Sequence, residues 1–328
     1  MATVTRDVRT ETWPLKSAFV IARGAKTEAR VVVVTLSDGR VIGRGEAVPY
    51  ARYGETVESV VALIESAGPF SSRSALVAGM PAGAARNALD CALWDLEAKQ
   101  ARTSVAELAG VGSLRPLETC FTLSLASPDE MAAAARSVPH LRLLKLKLGG
   151  TGDPDRMRAV RQARPEARLI ADCNESWSPD MLVPFLAAAS AARIELIEQP
   201  LPAGRDQALA GIAHPIPVCA DESAHTCSDI GALAGRYEAV NIKLDKAGGL
   251  TEALAMAGVA RGRQMKVMAG CMVATSLAMA PAFLLAQNAD WVDLDGPLLL
   301  ASDRPDGLVI ENGLIAPPSP ALWGWTIP

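Results

Sequence analysis

The sequence contains few aromatic residues, few histidines and no paired cysteines. Phe, Trp and Tyr make up 4% of the 328 residues, so stacking on nucleic-acid bases or sugar rings is not expected to dominate ligand binding. There are three histidines and six cysteines, and no C-x-x-C motif. This composition argues against a disulfide framework and against a structural zinc site.

An excess of positive charge is also missing. The formal net charge is −4, so the sequence predicts no binding to nucleic acid or to a membrane surface. The first residues contain no apolar segment typical of a secretory signal, and we expect a cytoplasmic protein. The uncharged stretch 267–289 contains Gly, Pro and many Ala, and it predicts a buried strand followed by a buried helix.

Short apolar runs recur in the second part of the chain, separated by alanine-rich segments with helical spacing. The eight runs lie at residues 119–123, 143–148, 168–172, 194–198, 217–221, 239–243, 266–270 and 291–295. Between Lys147 and Lys243, the charged residues that end successive runs lie 22 to 26 residues apart. Each interval fits a strand, a helix and two short loops, so we predict an α/β fold with a (β/α)8 TIM-like barrel.

The N-terminal third follows a different pattern. Two strand-like runs joined by Ser-Asp-Gly predict a hairpin, and two amphipathic segments predict helices. These elements are expected at residues 30–35, 40–45, 56–66 and 82–99. The mixture of antiparallel strands and helices predicts a separate α+β domain.

A second hairpin signal lies near the C-terminus, where Asn312-Gly313 separates the short runs 307–310 and 314–315. We expect this tail to return to the N-terminal domain. The predicted division is an α+β capping domain in residues 1–115 with 303–328, and a catalytic barrel of seven or eight β/α units in residues 116–302.

Three acidic residues, Asp172, Glu198 and Asp221, end the third, fourth and fifth predicted strands. The C-terminal ends of barrel strands meet at one rim, where active sites form. Three carboxylates there would raise one another's pKa unless a cation lay among them, and oxygen ligands favour Mg²⁺ or Mn²⁺ over Zn²⁺. A single acid could instead cap a helix or form a salt bridge, but three in register favour a metal site.

Lysines are predicted on both sides of these acids. Lys145 and Lys147 share one face of the second strand because side chains alternate along a strand, and that face points into the barrel. Lys243 ends the sixth strand, and neighbouring cations can lower the pKa of a lysine so that it acts as a base. Alternatively, the lysines could serve only as counterions of the acids, and this alternative remains open for Lys145. Lys246 and Lys266 are alternative bases at less suitable positions.

The eighth predicted strand supplies two further carboxylates, Asp293 and Asp295, which share a face across the barrel mouth from the acidic triad. A carboxylate pair at this place can receive an ammonium group of a ligand. An Asp-Gly turn is the alternative explanation, and it accounts for Asp295 but not for both residues.

The order of these residues resembles the enolase superfamily, in particular its muconate-cycloisomerase-like branch. The shared motifs are K-x-K, then Asp, Glu and Asp at successive strand ends, then N-I-K-L-D-K-A-G-G. Within this branch the chain is most similar to the L-Ala-D/L-Glu dipeptide epimerases. The motifs that carry this similarity are V-I-A-R-G at 20–24, P-Y-A-R-Y-G at 49–54 and D-L-D at 293–295.

The resemblance implies a role for each matching residue. The two bases and the lysine that stabilises the enolate oxygen would be Lys147, Lys243 and Lys145. The Mg²⁺ ligands would be Asp172, Glu198 and Asp221. The residues that contact the substrate would be Asp293 and Asp295 for its α-ammonium group, Arg23 for a glutamate side-chain carboxylate, Arg52 as a weaker candidate for that contact, and Thr122 as a pocket-lining hydroxyl.

The resemblance implies Mg²⁺-dependent epimerisation of a dipeptide, L-Ala-D/L-Glu above others, without an organic cofactor. A proton α to a carboxylate is weakly acidic because its removal places a second negative charge on the carboxylate oxygens, and a metal ion stabilises that enediolate. Two opposed lysines can then remove the proton from one face and deliver a proton to the other. This two-base 1,1-proton transfer inverts the stereocentre.

Other reactions on the same scaffold remain open. They are racemisation of N-acylamino acids, epimerisation of a different dipeptide and o-succinylbenzoate synthesis. A non-catalytic metal-binding barrel is an alternative of another class, although an intact set of acids and lysines disfavours it. The expected partner is a small dipeptide, and the resemblance implies that the chain can assemble into a homo-oligomer. Dipeptides of the Ala-Glu type also imply a role in murein peptide metabolism.

Overall fold

The computed structural model describes residues 4–70 and 72–324. The N-terminal part begins with three antiparallel strands in the order β1-β2-β3. These strands are β1 (Thr5–Ile21), β2 (Gly24–Ser37) and β3 (Ile42–Ala47). Four helices follow, α1 (Val57–Ser66), α2 (Arg73–Gly79), α3 (Ala84–Ala101) and α4 (Val105–Leu108). A 3-10 turn, Ala51–Tyr53, separates the sheet from α1.

Helix α3 packs directly on β3 because that strand contains two glycines, which carry no side chain to separate the two elements. A Cβ atom added to Gly45 would lie 2.1 Å from the carbonyl oxygen of Ala88, and one at Gly43 would lie 2.2 Å from that of Ala92. The buried valines Val32 and Val34 of β2 belong to the same apolar core. This packing fixes the sheet, and therefore the β1–β2 hairpin, against the rest of the molecule.

The second part contains eight parallel strands in consecutive order from β5 to β12. Its strands are β5 (Phe121–Leu123), β6 (Leu143–Lys147), β7 (Arg168–Asp172), β8 (Ile194–Glu198), β9 (Val218–Ala220), β10 (Ala239–Lys243), β11 (Lys266–Gly270) and β12 (Trp291–Asp293). A hydrogen bond from Cys120 N to Val292 O joins the first and last strands. The predicted (β/α)8 barrel is therefore confirmed.

Helices connect the barrel strands in the expected alternation, with one exception. The helices are α5 (Pro128–Ser137), α6 (Asp153–Ala163), α7 (Pro179–Ala191), α8 (Cys227–Leu233), α9 (Leu244–Ala247), α10 (Leu250–Gly262), α11 (Ser276–Ala286) and α12 (Gly296–Leu299). Between β8 and β9 the connection is a 3-10 helix, Gln207–Gly211. The stretch 267–289 forms β11 and the fully buried helix α11, as predicted.

The C-terminal tail contacts both parts of the chain. Strands β13 (Ile310–Glu311) and β14 (Leu314–Ile315) form the predicted hairpin, and β14 pairs with β4 (Leu117–Glu118), which precedes the barrel. Further along, the indole N–H of Trp323 donates to the carbonyl oxygens of Arg44 and Cys91 in the N-terminal part. The tail thus bridges the two parts.

Strand β1 was missing from the sequence prediction. It pairs along most of its length with β2, for example Val8 with Val34, but its own residues alternate between exposed and half-buried. Because it contributes few buried apolar side chains, its sequence lacks the apolar run that identified the other strands. In the part of the chain described, no helix combines the length and apolarity needed to cross a membrane.

Candidate active site

Three buried carboxylates meet at the C-terminal rim of the barrel. Asp172 ends β7, Glu198 ends β8 and Asp221 follows β9, and one oxygen from each lies within 4.8 Å of the others. Asp172 and Glu198 are direct neighbours in the parallel register. Three buried oxygen donors without nitrogen or sulfur suit a hard divalent cation such as Mg²⁺. The residues present therefore fit the metal that the sequence predicts.

Four lysines surround these carboxylates. Lys145 Nζ lies 2.7 Å from Glu198 Oε2 and 3.4 Å from Asp172 Oδ2. The other contacts of this group are Lys147 Nζ to Asp172 Oδ2 at 2.5 Å, Lys243 Nζ to Asp221 Oδ2 at 2.7 Å and Lys246 Nζ to Asp221 Oδ1 at 2.6 Å. The structure thus brings all three predicted lysines to the acidic triad and places Lys246 there as well.

The surroundings shift the pKa values of these acids in opposite directions. Burial alone would raise the pKa of Asp221, but Lys243 and Lys246 hold it well below its usual range. Burial and the neighbouring Asp172 raise the pKa of Glu198 to about 7. A carboxyl group that is costly to ionise next to other carboxylates is typical of a site that a cation completes.

The neighbouring carboxylates also shift the pKa of Lys243. The sequence suggests that nearby cations lower this pKa, but the shift is in the opposite direction. Burial disfavours the ammonium form, but Asp221 and Glu198 raise the pKa of Lys243 well above its usual range. A divalent cation on these carboxylates would oppose protonation of the lysine, because like charges repel. A bound cation would therefore favour the neutral amine form of Lys243, which can act as a base.

Lys147 and Lys243 face one cavity from opposite sides. They lie on β6 and β10, and strands β7, β8 and β9 separate these two strands in the barrel. Both lysines line a cavity of about 1000 Å³ between the barrel rim and the N-terminal part. A ligand between them presents one face to each ammonium group, and proton exchange across a planar carbon requires this arrangement.

Asp293 and Asp295 line the same cavity but have different partners. Asp293 accepts from Lys145 Nζ at 2.6 Å and from the Cys120 thiol at 2.9 Å. Asp295 Oδ2 accepts from the backbone N–H of Thr122 at 2.7 Å, and Asp295 forms no salt bridge in the described part of the chain. Burial and the charge of Asp293 raise the pKa of Asp295 to about 6. Asp295 is therefore the carboxylate available to a cationic ligand group.

Arg23 reaches the cavity from the turn between β1 and β2. Its Nη2 lies 2.7 Å from Glu222 Oε1, and its Nη1 donates to Asn174 O at 2.9 Å and to Glu175 Oε2 at 3.1 Å. Arg52, in the 3-10 turn, forms two 2.8 Å hydrogen bonds with Glu175. Both arginines line the cavity, and both contact barrel carboxylates, Arg23 two of them and Arg52 one.

Sequence reasoning missed several polar residues of this site. Glu175 and Glu222 each follow a strand-end acid within three residues, in N-E-S-W and A-D-E-S, and this position could have indicated them. Lys246, predicted only as an alternative base at a less suitable position, lies one helical turn after Lys243, and both side chains contact Asp221. Cys120 carries no sequence signal, because its role depends on contact with Asp293, a residue distant in the chain.

Comparisons with known families cover nearly the whole chain. Residues 3–110 match the model for the mandelate racemase / muconate lactonizing enzyme N-terminal domain. Residues 129–326 match the model described as enolase C-terminal domain-like. Two separate family models therefore match the two parts of the chain, one for the N-terminal domain and one for the C-terminal domain.

Two curated relatives share nearly half of their residues with this chain. The L-Ala-D/L-Glu epimerase of Escherichia coli (strain K12) is 47% identical over 309 residues, which cover 92% of this chain and 96% of the relative. The N-acetyl-D-glutamate racemase of a Pseudoalteromonas species is 44% identical over 302 residues, which cover 90% of this chain and 95% of the relative.

Solved structures show the same fold with ligands bound. An enolase family member from Agrobacterium tumefaciens, with bound sodium and L-Ala-L-Glu, is 50% identical with a TM-score of 0.95, covering 98% of this chain and 100% of its own. A dipeptide epimerase from Methylococcus capsulatus, complexed with Mg and L-Arg-D-Lys, is 31% identical with a TM-score of 0.89, covering 97% of each chain.

Proposed function

The chain belongs to the mandelate racemase / muconate lactonizing enzyme family of the enolase superfamily, and from this membership we infer that it is a Mg²⁺-dependent dipeptide epimerase. Its substrate is a dipeptide of the L-Ala-D/L-Glu type. The observation that carries the inference is one cavity with Lys147 and Lys243 on opposite sides, lined also by Asp221 of the buried carboxylate triad.

We propose that Asp172, Glu198 and Asp221 hold the metal ion. When bound, the ion supplies positive charge that stabilises the enediolate formed on loss of the α-proton. Lys145, buried between Glu198 and Asp293, places a fixed ammonium group at the same end of the cavity. Its three carboxylate neighbours hold it in position, so this charge requires no rearrangement when negative charge develops.

The proton transfer itself falls to Lys147 and Lys243. One lysine removes the α-proton as a neutral amine, and the other, as an ammonium, delivers a proton to the opposite face of the planar carbon. In the reverse direction the two lysines exchange roles. Epimerisation by this route needs no redox step and no organic cofactor, because one proton leaves and one proton arrives.

Recognition of the N-terminus of the dipeptide is assigned to Asp295. Asp295 lines the cavity, and its raised pKa marks a buried carboxylate that has no salt-bridge partner in the described part of the chain. A substrate ammonium group would supply that cation. N-acylamino-acid racemisation is the second candidate because of the Pseudoalteromonas relative, but an N-acetyl group carries no positive charge to pair with Asp295.

The deciding experiment is proton NMR of L-Ala-L-Glu with the protein and Mg²⁺ in D₂O. We expect loss of the glutamate α-proton signal together with formation of the L-Ala-D-Glu diastereomer, and neither in EDTA. Exchange without inversion would mean that this dipeptide is not the substrate the two lysines fit. Absence of exchange with all dipeptides and N-acyl amino acids would favour a non-catalytic metal-binding barrel.

Replacement of Asp295 by Asn is expected to lower kcat/KM for L-Ala-L-Glu about 100-fold, because the substrate ammonium loses its buried counterion. For the same reason, N-acetyl-L-Ala-L-Glu should be turned over at least about 100-fold less efficiently by the unmodified protein. Asp290→Asn, an exposed carboxylate immediately before β12, is the matched control. Efficient turnover of N-acetylglutamate by the unmodified protein would instead support the racemase alternative.

Replacement of Arg23 by Ala is expected to lower kcat/KM for L-Ala-L-Glu about 100-fold, because a charge-assisted contact with the side-chain carboxylate is lost. Turnover of L-Ala-L-Met should change by less than about fivefold, since its side chain makes no ion pair. Arg9→Ala, on the exposed edge of β1, controls for loss of a hairpin arginine. Equal losses with both substrates would contradict the assignment of Arg23.

We also propose a place for this reaction in the cell. All six cysteines are free thiols, the usual state in the cytoplasm, where we place the protein. The Ala-Glu dipeptide type points to murein peptide metabolism. These two proposals rest on the sequence and on the substrate class.

A further inference from the structure

Arg23 pairs with two carboxylates of the protein itself. Its two terminal nitrogens contact Glu222 Oε1 at 2.7 Å and Glu175 Oε2 at 3.1 Å. The side chains of these glutamates are 1% and 8% exposed, whereas that of Arg23 is 27% exposed. A side-chain carboxylate of a substrate must therefore compete for Arg23 with carboxylates that belong to the protein.

The two glutamates are held in different ways. Glu175 accepts hydrogen bonds from Arg52, Arg23 and the backbone N–H of Ala203, so both of its oxygens have partners. Glu222 Oε1 contacts Arg23 and, at 3.4 Å, the Asn174 amide, while its buried Oε2 has no hydrogen-bond partner within the described ranges. Glu175 therefore has partners other than Arg23 on both oxygens, whereas Arg23 is the salt-bridge partner of Glu222.

This group contains as many basic as acidic side chains. Arg23 and Arg52 carry two positive charges, and Glu175 and Glu222 carry two negative charges. A substrate carboxylate adds a third negative charge, so its pairing with Arg23 must displace Glu222 or share the guanidinium with it. Either event offsets part of the gain, because Glu222 has no second salt-bridge partner in the described part of the chain.

We propose that Glu222 occupies the place of the substrate side-chain carboxylate at Arg23 and thereby limits the preference for acidic dipeptides. It is a specificity-determining residue that acts through Arg23. The identity of the second substrate residue rests on the proposed function, but the competition between Glu222 and an acidic ligand does not require turnover. Binding can therefore test it separately.

The test is Glu222→Gln, which keeps the shape of the side chain and removes its charge. Isothermal titration calorimetry at saturating Mg²⁺ would compare L-Ala-L-Glu with L-Ala-L-Gln in both proteins. We expect the ratio of their Kd values to shift about fivefold in favour of the acidic dipeptide. Because the comparison is a ratio, a change in Mg²⁺ affinity next to Asp221 affects both dipeptides and cancels. An unchanged ratio, or a shift toward the neutral dipeptide, would overturn the proposal.

Two further variants support the interpretation. Glu222→Asp shortens the side chain and withdraws the carboxylate from Arg23, so it should shift the ratio in the same direction and serves if the Gln variant does not fold. Glu46→Gln removes a buried glutamate that pairs with Arg304 away from the cavity, and it should leave the ratio unchanged. Binding of the dipeptides without proton exchange would contradict the proposed function. The ratio of Kd values would still decide whether Glu222 competes with an acidic ligand.

Discussion

Replacing Lys147 or Lys243 by Ala should abolish epimerisation, with kcat/KM falling about 1000-fold or more. Each lysine lines one side of the cavity, and inversion requires a proton donor on the face opposite the base. Loss of either lysine therefore removes either the base or the acid in both directions of the reaction. The NMR assay in D₂O measures inversion through the appearance of the second diastereomer.

The two variants should differ in the exchange that they retain. A single remaining lysine can remove the α-proton of one epimer and return a deuteron to the same face. One variant should therefore exchange L-Ala-L-Glu without inversion, and the other should exchange only L-Ala-D-Glu. Lys266→Ala, an exposed lysine at the start of β11, is the control and should retain full activity. Inversion by either single variant would contradict the two-base assignment.

Removal of the metal ion is the second change with a large expected effect. Chelation by EDTA should lower kcat about 1000-fold or more, because the enediolate charge loses its main stabilisation, and Mg²⁺ should restore turnover. Mn²⁺ should also restore it, since both ions favour oxygen ligands. Retained activity after exhaustive chelation would contradict a metal-dependent reaction.

A variant of one triad residue tests whether the metal ion binds at these carboxylates. Glu198→Gln should weaken Mg²⁺ binding at least about tenfold by calorimetry, because one charged oxygen ligand becomes a neutral amide. Glu195→Gln is the matched control, since Glu195 lies on the same strand but pairs with Arg168 at an exposed position. Equal Mg²⁺ affinity in the two variants would remove Glu198 from the proposed ligand set.

The barrel and its acidic rim could be predicted because both follow from local periodicity. Each barrel strand is a short, nearly continuous apolar run, since a parallel strand is buried on both faces. Once eight such runs are recognised, the C-terminal residue of each must lie at one rim, so Asp172, Glu198 and Asp221 converge without knowledge of any contact. The alternation of side chains likewise directed Lys145 and Lys147 into the barrel.

The sequence could not predict which of these charged groups pair with one another. Asp293 and Asp295 are both predicted to hold a substrate ammonium and both line the cavity, but Asp293 contacts Lys145 and Cys120, whereas Asp295 contacts Thr122. Both acids share a strand face, so periodicity treats them alike. Their difference arises from the side chains of other strands, which reach one acid and not the other.

The sequence by itself determined the barrel, the three acids of the proposed metal site and the two lysines on opposite sides of the cavity, because residue spacing alone places strand ends at a common rim. Only the tertiary structure decided the surroundings of Arg23. Arg23 and Arg52 come from separate turns of the N-terminal part, and Glu175 and Glu222 from separate loops of the barrel. More than 100 residues separate each arginine from its carboxylate partners, so these ion pairs exist only through the packing of one part on the other.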